Sequence, residues 1–170
     1  MTPEGALLAL IAEAVGIAAS ARRLRLRGEA DEPRIVALGI ATVDTERVER
    51  QLRAELGLPH GPSFELPSDL LLGARCRRLP EVESVPMLIQ LEPDTEGRLA
   101  ASLARAGEGP LVAWVATDLA DEELRRRAVA AGLVLSRPAG GPLGSERLVL
   151  GGPRHGPHLL LLATGATMTA

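Results

Sequence analysis

The sequence predicts an α+β protein made of two paired βαβββ modules, preceded by an extra N-terminal helix. Three observations predict it. Residues 35–58, laid on residues 110–133 without a gap, repeat an apolar strand, an acidic helix cap, an amphipathic helix and a stopping glycine in the same order. In that alignment Ala41, Thr42, Arg50, Gly57 and Leu58 meet identical residues at 116, 117, 125, 132 and 133. Each β-α unit is then followed by short strand-like runs separated by Gly- and Pro-rich turns. With 46% hydrophobic and 24% charged residues, the chain can bury a core and is expected to be globular.

The elements follow in order. Thr2 can cap a first helix, Pro3 suits its first turn, and Leu7, Leu8, Ile11, Val15 and Ala18 share one face. The start carries no positive charge and Glu13 interrupts the apolar run, so neither a signal peptide nor a membrane span is expected. Arg22 to Arg27, alternating with leucine, reads as a short strand, and Glu29 to Pro33 as a linker, which makes 1–33 an extension. The first module is expected over 34–93. Ile35 to Thr42 forms its first strand; Asp44 caps a helix carrying Val48, Leu52 and Leu56, and Gly57 stops it. Strands then read at Ser63–Leu66, Leu70–Leu79 and Pro86–Glu92. A connecting helix is expected within 94–108, from Asp94 to Ala106, with Leu99 and Leu103 one turn apart and Gly107 as its stop. The second module, 109–170, repeats the plan. Leu111 to Thr117 is a strand, Asp118 a cap, and Leu124, Ala128 and Ala131 the helix face, with Gly132 as stop; strands follow at Val134–Ser136, Glu146–Leu150 and His158–Ala163.

Composition removes several functions. A net charge of -3 and only two aromatics, Phe64 and Trp114, argue against a nucleic-acid partner, which needs a basic surface or stacking platform. The single cysteine, Cys76, rules out an internal disulfide and fits a reducing, cytoplasmic location. The sequence has no P-loop, no dinucleotide-binding glycine loop, no H-E-x-x-H and no G-x-S-x-G.

Several stretches carry a resemblance. They are Leu91-Glu92-Pro93 before a helix, Arg105 to Gly109 before a strand, and Ala131-Gly132-Leu133. The turn Gly140 to Gly144, the strand Arg147 to Leu150, and Gly156 to Leu162 complete the set. In order and spacing they resemble the second module of the vicinal-oxygen-chelate (glyoxalase-like) superfamily, in particular its methylmalonyl-CoA epimerases. The resemblance implies paired sheets curled around a cleft, with a divalent metal held by one side chain from each of four strands. By position those ligands fall on Ala37, Ile89, Val112 and Leu160. None offers an imidazole, carboxylate or other donor, so the metal site is expected to be lost and no cofactor is expected. Gln90 is one residue from Ile89, and a bulge would turn it inward.

Strand alternation places Ile35, Gly39, Met87, Leu91, Trp114, Ala116, His158 and Leu162 on the cleft side with these positions. Such an apolar cleft suits a small organic ligand. His158 is the candidate acid/base, because an imidazole titrates near neutrality. With His155 it forms an H-x-x-H spacing, but a Gly-Pro turn does not hold ligands as a helix does. Arg75 and Arg77 point the same way and can clamp an anion, with Cys76 on the opposite side. Glu65, Glu81, Glu83 and Glu146 are candidate general bases. Three readings stand: a metal-independent protein binding a small apolar metabolite; a metal-free isomerase, epimerase, cyclase or lyase; and a structural or interaction module. Because such folds pair modules within or between chains, a homodimer is expected.

Overall fold

The computed structural model describes residues 34–81, 86–117, 119–130, 132–150 and 156–163. The expected helix, strand and linker of residues 1–33, the Asp118 cap and His155 lie outside them. The elements run β1 (Arg34–Ala41), α1 (Thr45–Leu56), β2 (Phe64–Asp69), β3 (Ala74–Arg78) and β4 (Met87–Pro93), then α2 (Arg98–Ala106). They continue as β5 (Gly109–Thr117), α3 (Asp121–Ala130), β6 (Val134–Leu135), β7 (Ala139–Gly141), β8 (Gly144–Leu150) and β9 (His158–Ala163).

Local chemistry sets the helices. Asp44 accepts a hydrogen bond from the Arg47 N–H at 2.9 Å, and Gly57 closes α1 in the left-handed conformation at φ 63°. Glu108 pins the start of that module to the next. Its Oε1 accepts from Thr42 Oγ1 at 2.6 Å and from the Val43 N–H at 3.0 Å, and its other oxygen pairs with Arg47. Those partners, the Thr42 hydroxyl foremost, hold the Glu108 carboxyl below its ordinary range.

The strands form one mixed sheet in the order β2-β3-β4-β1-β5-β9-β8, with β6 and β7 both paired to β8. β1 lies parallel to β4, and β5 parallel to β9, so both modules use the same pairing. The modules join where β1 and β5 run antiparallel. The sheet curls far enough that the Leu70 N–H, beyond β2 on one edge, donates to the Gly140 carbonyl on β7 at 3.2 Å.

Two-residue alternation sorts side chains between the faces. Inside the curl lie Ala37, Ala41, Ala74, Cys76, Ile89, Leu91, Val112, Trp114, Leu148 and Leu160, joined by Leu99 of α2. Outside, Leu38, Ile40 and Leu88 pack on Val48 and Leu52 of α1, and Val115 and Leu161 pack on Leu124 and Ala128 of α3.

Four expectations change. Ile35 turns outward, because a bulge between Ile35 and Ala37 shifts the register and places Val36, not Ile35, against the interior. The strand expected from Leu70 starts only at Ala74, since Asp69 and Gly73 (φ 67°) form a turn. α2 starts only at Arg98: the Asp94 N–H bonds to the Gly73 carbonyl at 2.9 Å, and the chain bends over residues 95–97 before the helix begins. The glycine turn after Ala139 is itself a hairpin, with Gly141 opposite Gly144.

Candidate functional site

Ala37, Ile89, Val112 and Leu160, one from each of four adjoining strands, meet in a single cluster at 0% exposure. Leu91 and Trp114 are equally enclosed, and Met87 packs against the same cluster. Gly39 shows how closely they fit. A methyl group there would stand 2.7 Å from Leu91 Cδ1, 2.8 Å from Val112 Cβ and 2.9 Å from Trp114 Cζ3. The expected cleft is, at these residues, a filled core.

Gln90 is the exception among the expected lining residues. It points to the other face, where its Nε2 donates to the Thr45 carbonyl at the start of α1 (2.8 Å). No bulge interrupts the β1–β4 register to turn it inward. Arg75 and Arg77 also face away from the interior, and each holds a carboxylate already: Arg75 pairs with Glu92 and Arg77 with Glu65. Cys76, between them, points inward and is 1% exposed. Burial, followed by the negative charge of Asp69, pushes its thiol up to about 12, so it is no nucleophile at neutral pH. His158 is 5% exposed, and its Nε2 lies 2.7 Å from Ser102 Oγ on α2. α2 therefore closes part of the interior with Leu99 and anchors His158 at the same time.

The interior holds one polar group that the sequence did not assemble. The Trp114 indole N–H donates to Glu146 Oε2 at 2.8 Å. Glu146, on β8, is 1% exposed and stands beside Asp69, at the end of β2, which is 0% exposed. Asp69 Oδ1 accepts from the Leu71 and Leu72 N–H groups, both at 2.9 Å. The remaining oxygens, Asp69 Oδ2 and Glu146 Oε1, are buried with no partner while both groups are ionised. A proton on Glu146 removes the conflict, since the acid can donate to the Asp69 carboxylate. Burial, then the Asp69 charge, raises Glu146 to about 9, and burial also raises Asp69. Gly141 makes room for the pair, as a side chain at that position would collide with the Glu146 carboxyl. Glu146 was one of several candidate acids in the sequence. Its inward parity with Leu148 was the available signal, and nothing local pointed to Asp69.

No sequence family model matches the chain, and no curated protein matches it. Solved structures do. Methylmalonyl-CoA epimerase from Mycobacterium tuberculosis superposes with a TM-score of 0.62 at 17% identity, over 76% of this chain and 86% of that one. The Streptomyces coelicolor epimerase, in complex with 2-nitronate-propionyl-CoA, gives 0.62 at 23% identity, over 78% and 98%. A hypothetical protein, BH1468 from Bacillus halodurans, gives 0.63 at 18% identity, over 78% and 95%. This chain has the glyoxalase-like fold. The identities are low enough that the likeness carries the architecture alone.

In a glyoxalase-like fold the centre of the curl is where the resemblance places a metal. The four side chains there are methyl, sec-butyl, isopropyl and isobutyl groups packed into one hydrophobic cluster, and they do not fit a divalent cation. Among the described residues no group of three or more His, Cys, Asp or Glu side chains is arranged to hold a metal. Asp69 and Glu146 supply carboxyls, but as a proton-sharing pair without further donors. Nor is any described helix long and apolar enough to cross a membrane.

Proposed function

We propose that this protein is a metal-independent structural or interaction module on the glyoxalase-like fold, its cleft positions filled as hydrophobic core. The observation that carries the reading is the enclosure of Ala37, Ile89, Val112 and Leu160 at 0% exposure, locked together around Trp114. A metal-assisted epimerase stabilises an enolate on its ion, and these residues offer neither donors nor space for one. The small apolar ligand expected in the cleft would have to displace Trp114, which Glu146 holds, or part several fully buried side chains. Pairing of modules, which a homodimer would otherwise supply, is met within one chain by the β1–β5 join.

The test is elemental analysis of the purified chain together with deuterium wash-in from D2O into methylmalonyl-CoA. The reading expects no stoichiometric metal and no exchange above background. A stoichiometric divalent metal, or exchange that a chelator abolishes, would overturn it.

One observation favours a second reading, a metal-free proton-transfer enzyme. Asp69 and Glu146 are buried side by side with one oxygen each left unpartnered, an arrangement that a shared proton satisfies, and paired carboxyls of this kind gather at acid/base sites. Chelator-resistant wash-in that disappears in a folded Glu146→Gln variant would select it. Wash-in lost instead in His158→Ala would place the acid/base on the imidazole.

A further inference from the structure

On the convex face, between the C-terminal half of α3 and β6, lies a recess of about 370 Å³. Its floor is Leu133 and Leu135, which the α3 cluster fixes from below. Val129 and Val134 form its sides and are 71% and 60% exposed, an apolar surface left to water. Gly132 (φ 76°) turns the chain between them, and a side chain there would meet only open space.

Two guanidinium groups border this surface, and they differ. Arg147 is 7% exposed and committed: Nε and Nη2 bond to Asp121, both at 2.6 Å, and Nη1 to the Ser136 carbonyl at 2.8 Å. Arg125 is exposed and makes no ion pair or hydrogen bond among the described residues, although Asp121 feels its charge. Its neighbours Arg126 and Arg127 both bind Glu123, so Arg125 alone of the three keeps its donors for another molecule. A wall of valine and leucine with one uncommitted, planar, bidentate donor at its rim matches a molecule with an apolar chain and a single carboxylate. A lone guanidinium does not suit a polyanion, and the volume is at the lower end for small-molecule sites.

We propose that this recess binds a medium-chain carboxylate, its head on Arg125 and its chain across Val129, Leu133, Val134 and Leu135. The site is separate from the sealed interior and stands whether or not the interior turns anything over.

Alkylation of a full-length Val134→Cys variant tests it, with decanoate as the probe. The native Cys76 is buried and its thiol is held far above neutral, so it stays silent. The introduced thiol should react quickly alone and be protected saturably by decanoate. Adding Arg125→Gln, an exposed change that leaves the fold intact, should raise the half-protecting concentration about tenfold or more. Decanol, with the same chain and no charge, should protect about tenfold more weakly. Slow alkylation without decanoate would mean that residues 1–33 or a second copy already cover the recess, and would overturn the proposal. Protection unaffected by Arg125→Gln, or absent altogether, would overturn it as well.

Discussion

Glu146 sets how stability responds to pH. Its folded pKa, about 9, lies above its ordinary 4.5. The folded state thus holds a proton that the unfolded state releases, and the contribution is complete below about 4.5 and lost as pH rises towards 9. The slope is at most about 1.4 kcal/mol per pH unit. Asp69, also raised, acts in the same direction. Glu49, Glu108 and Asp121 are lowered and act oppositely, giving stability above their ordinary range that is lost as pH falls through their folded values. Maximum stability is therefore expected near pH 5. Glu146→Gln keeps a donor for Asp69 and an acceptor for Trp114 without a proton to lose. Thermal melts from pH 5 to 8 should fall steeply for the native chain and distinctly less for the variant, in which, of the pair, only Asp69 is left to lose a proton. Gly39→Ala would force a methyl group into Leu91, Val112 and Trp114 and should cost about 1–3 kcal/mol by urea unfolding. The inward side of Gly39 was readable from alternation with Ala37. The Asp69–Glu146 pair was not, because its members come from different modules and meet only when the sheet curls.

At the scale of elements, α1 was the most legible. Its cap, its Val48–Leu52 face and its Gly57 stop are all encoded within a few residues of one another. Asp44→Ala removes the acceptor for the Arg47 N–H and should cost about 1 kcal/mol in the same unfolding assay. Strand edges were less legible. The start of β3 depends on the Asp69 turn, and β7 exists because β8 offers it a partner. Nor does the pattern of α2 reveal that Leu99 reaches into the interior, where it is 0% exposed. Leu99→Ala should cost about 2–5 kcal/mol, well above the price of an exposed helix position.

For the whole molecule, the β1–β5 join decides cooperativity. The two modules share a central strand pair, and the inner cluster draws residues from both. α1 and α3 each have an outer cluster, but the inner core is common to both modules, so calorimetry and far-UV circular dichroism should report one coincident transition. Two transitions would mean that the modules unfold independently. The duplicated β-α unit made this pairing legible, since Ala37 and Val112 are equivalent under the repeat and do enter the same core. The filling of that core was not legible, because alternation gives the side a residue faces and not the distance to its neighbours across the curl.

The bond between Trp114 and Glu146 also has an optical consequence. The chain contains one tryptophan, and its indole N–H ends on the group that titrates. As that carboxyl loses its proton, the charge facing the ring changes while the ring stays shielded from water. The emission spectrum of the native chain should therefore shift along the titration curve of Glu146, giving the protein an intrinsic fluorescent indicator of the protonation state of its own interior.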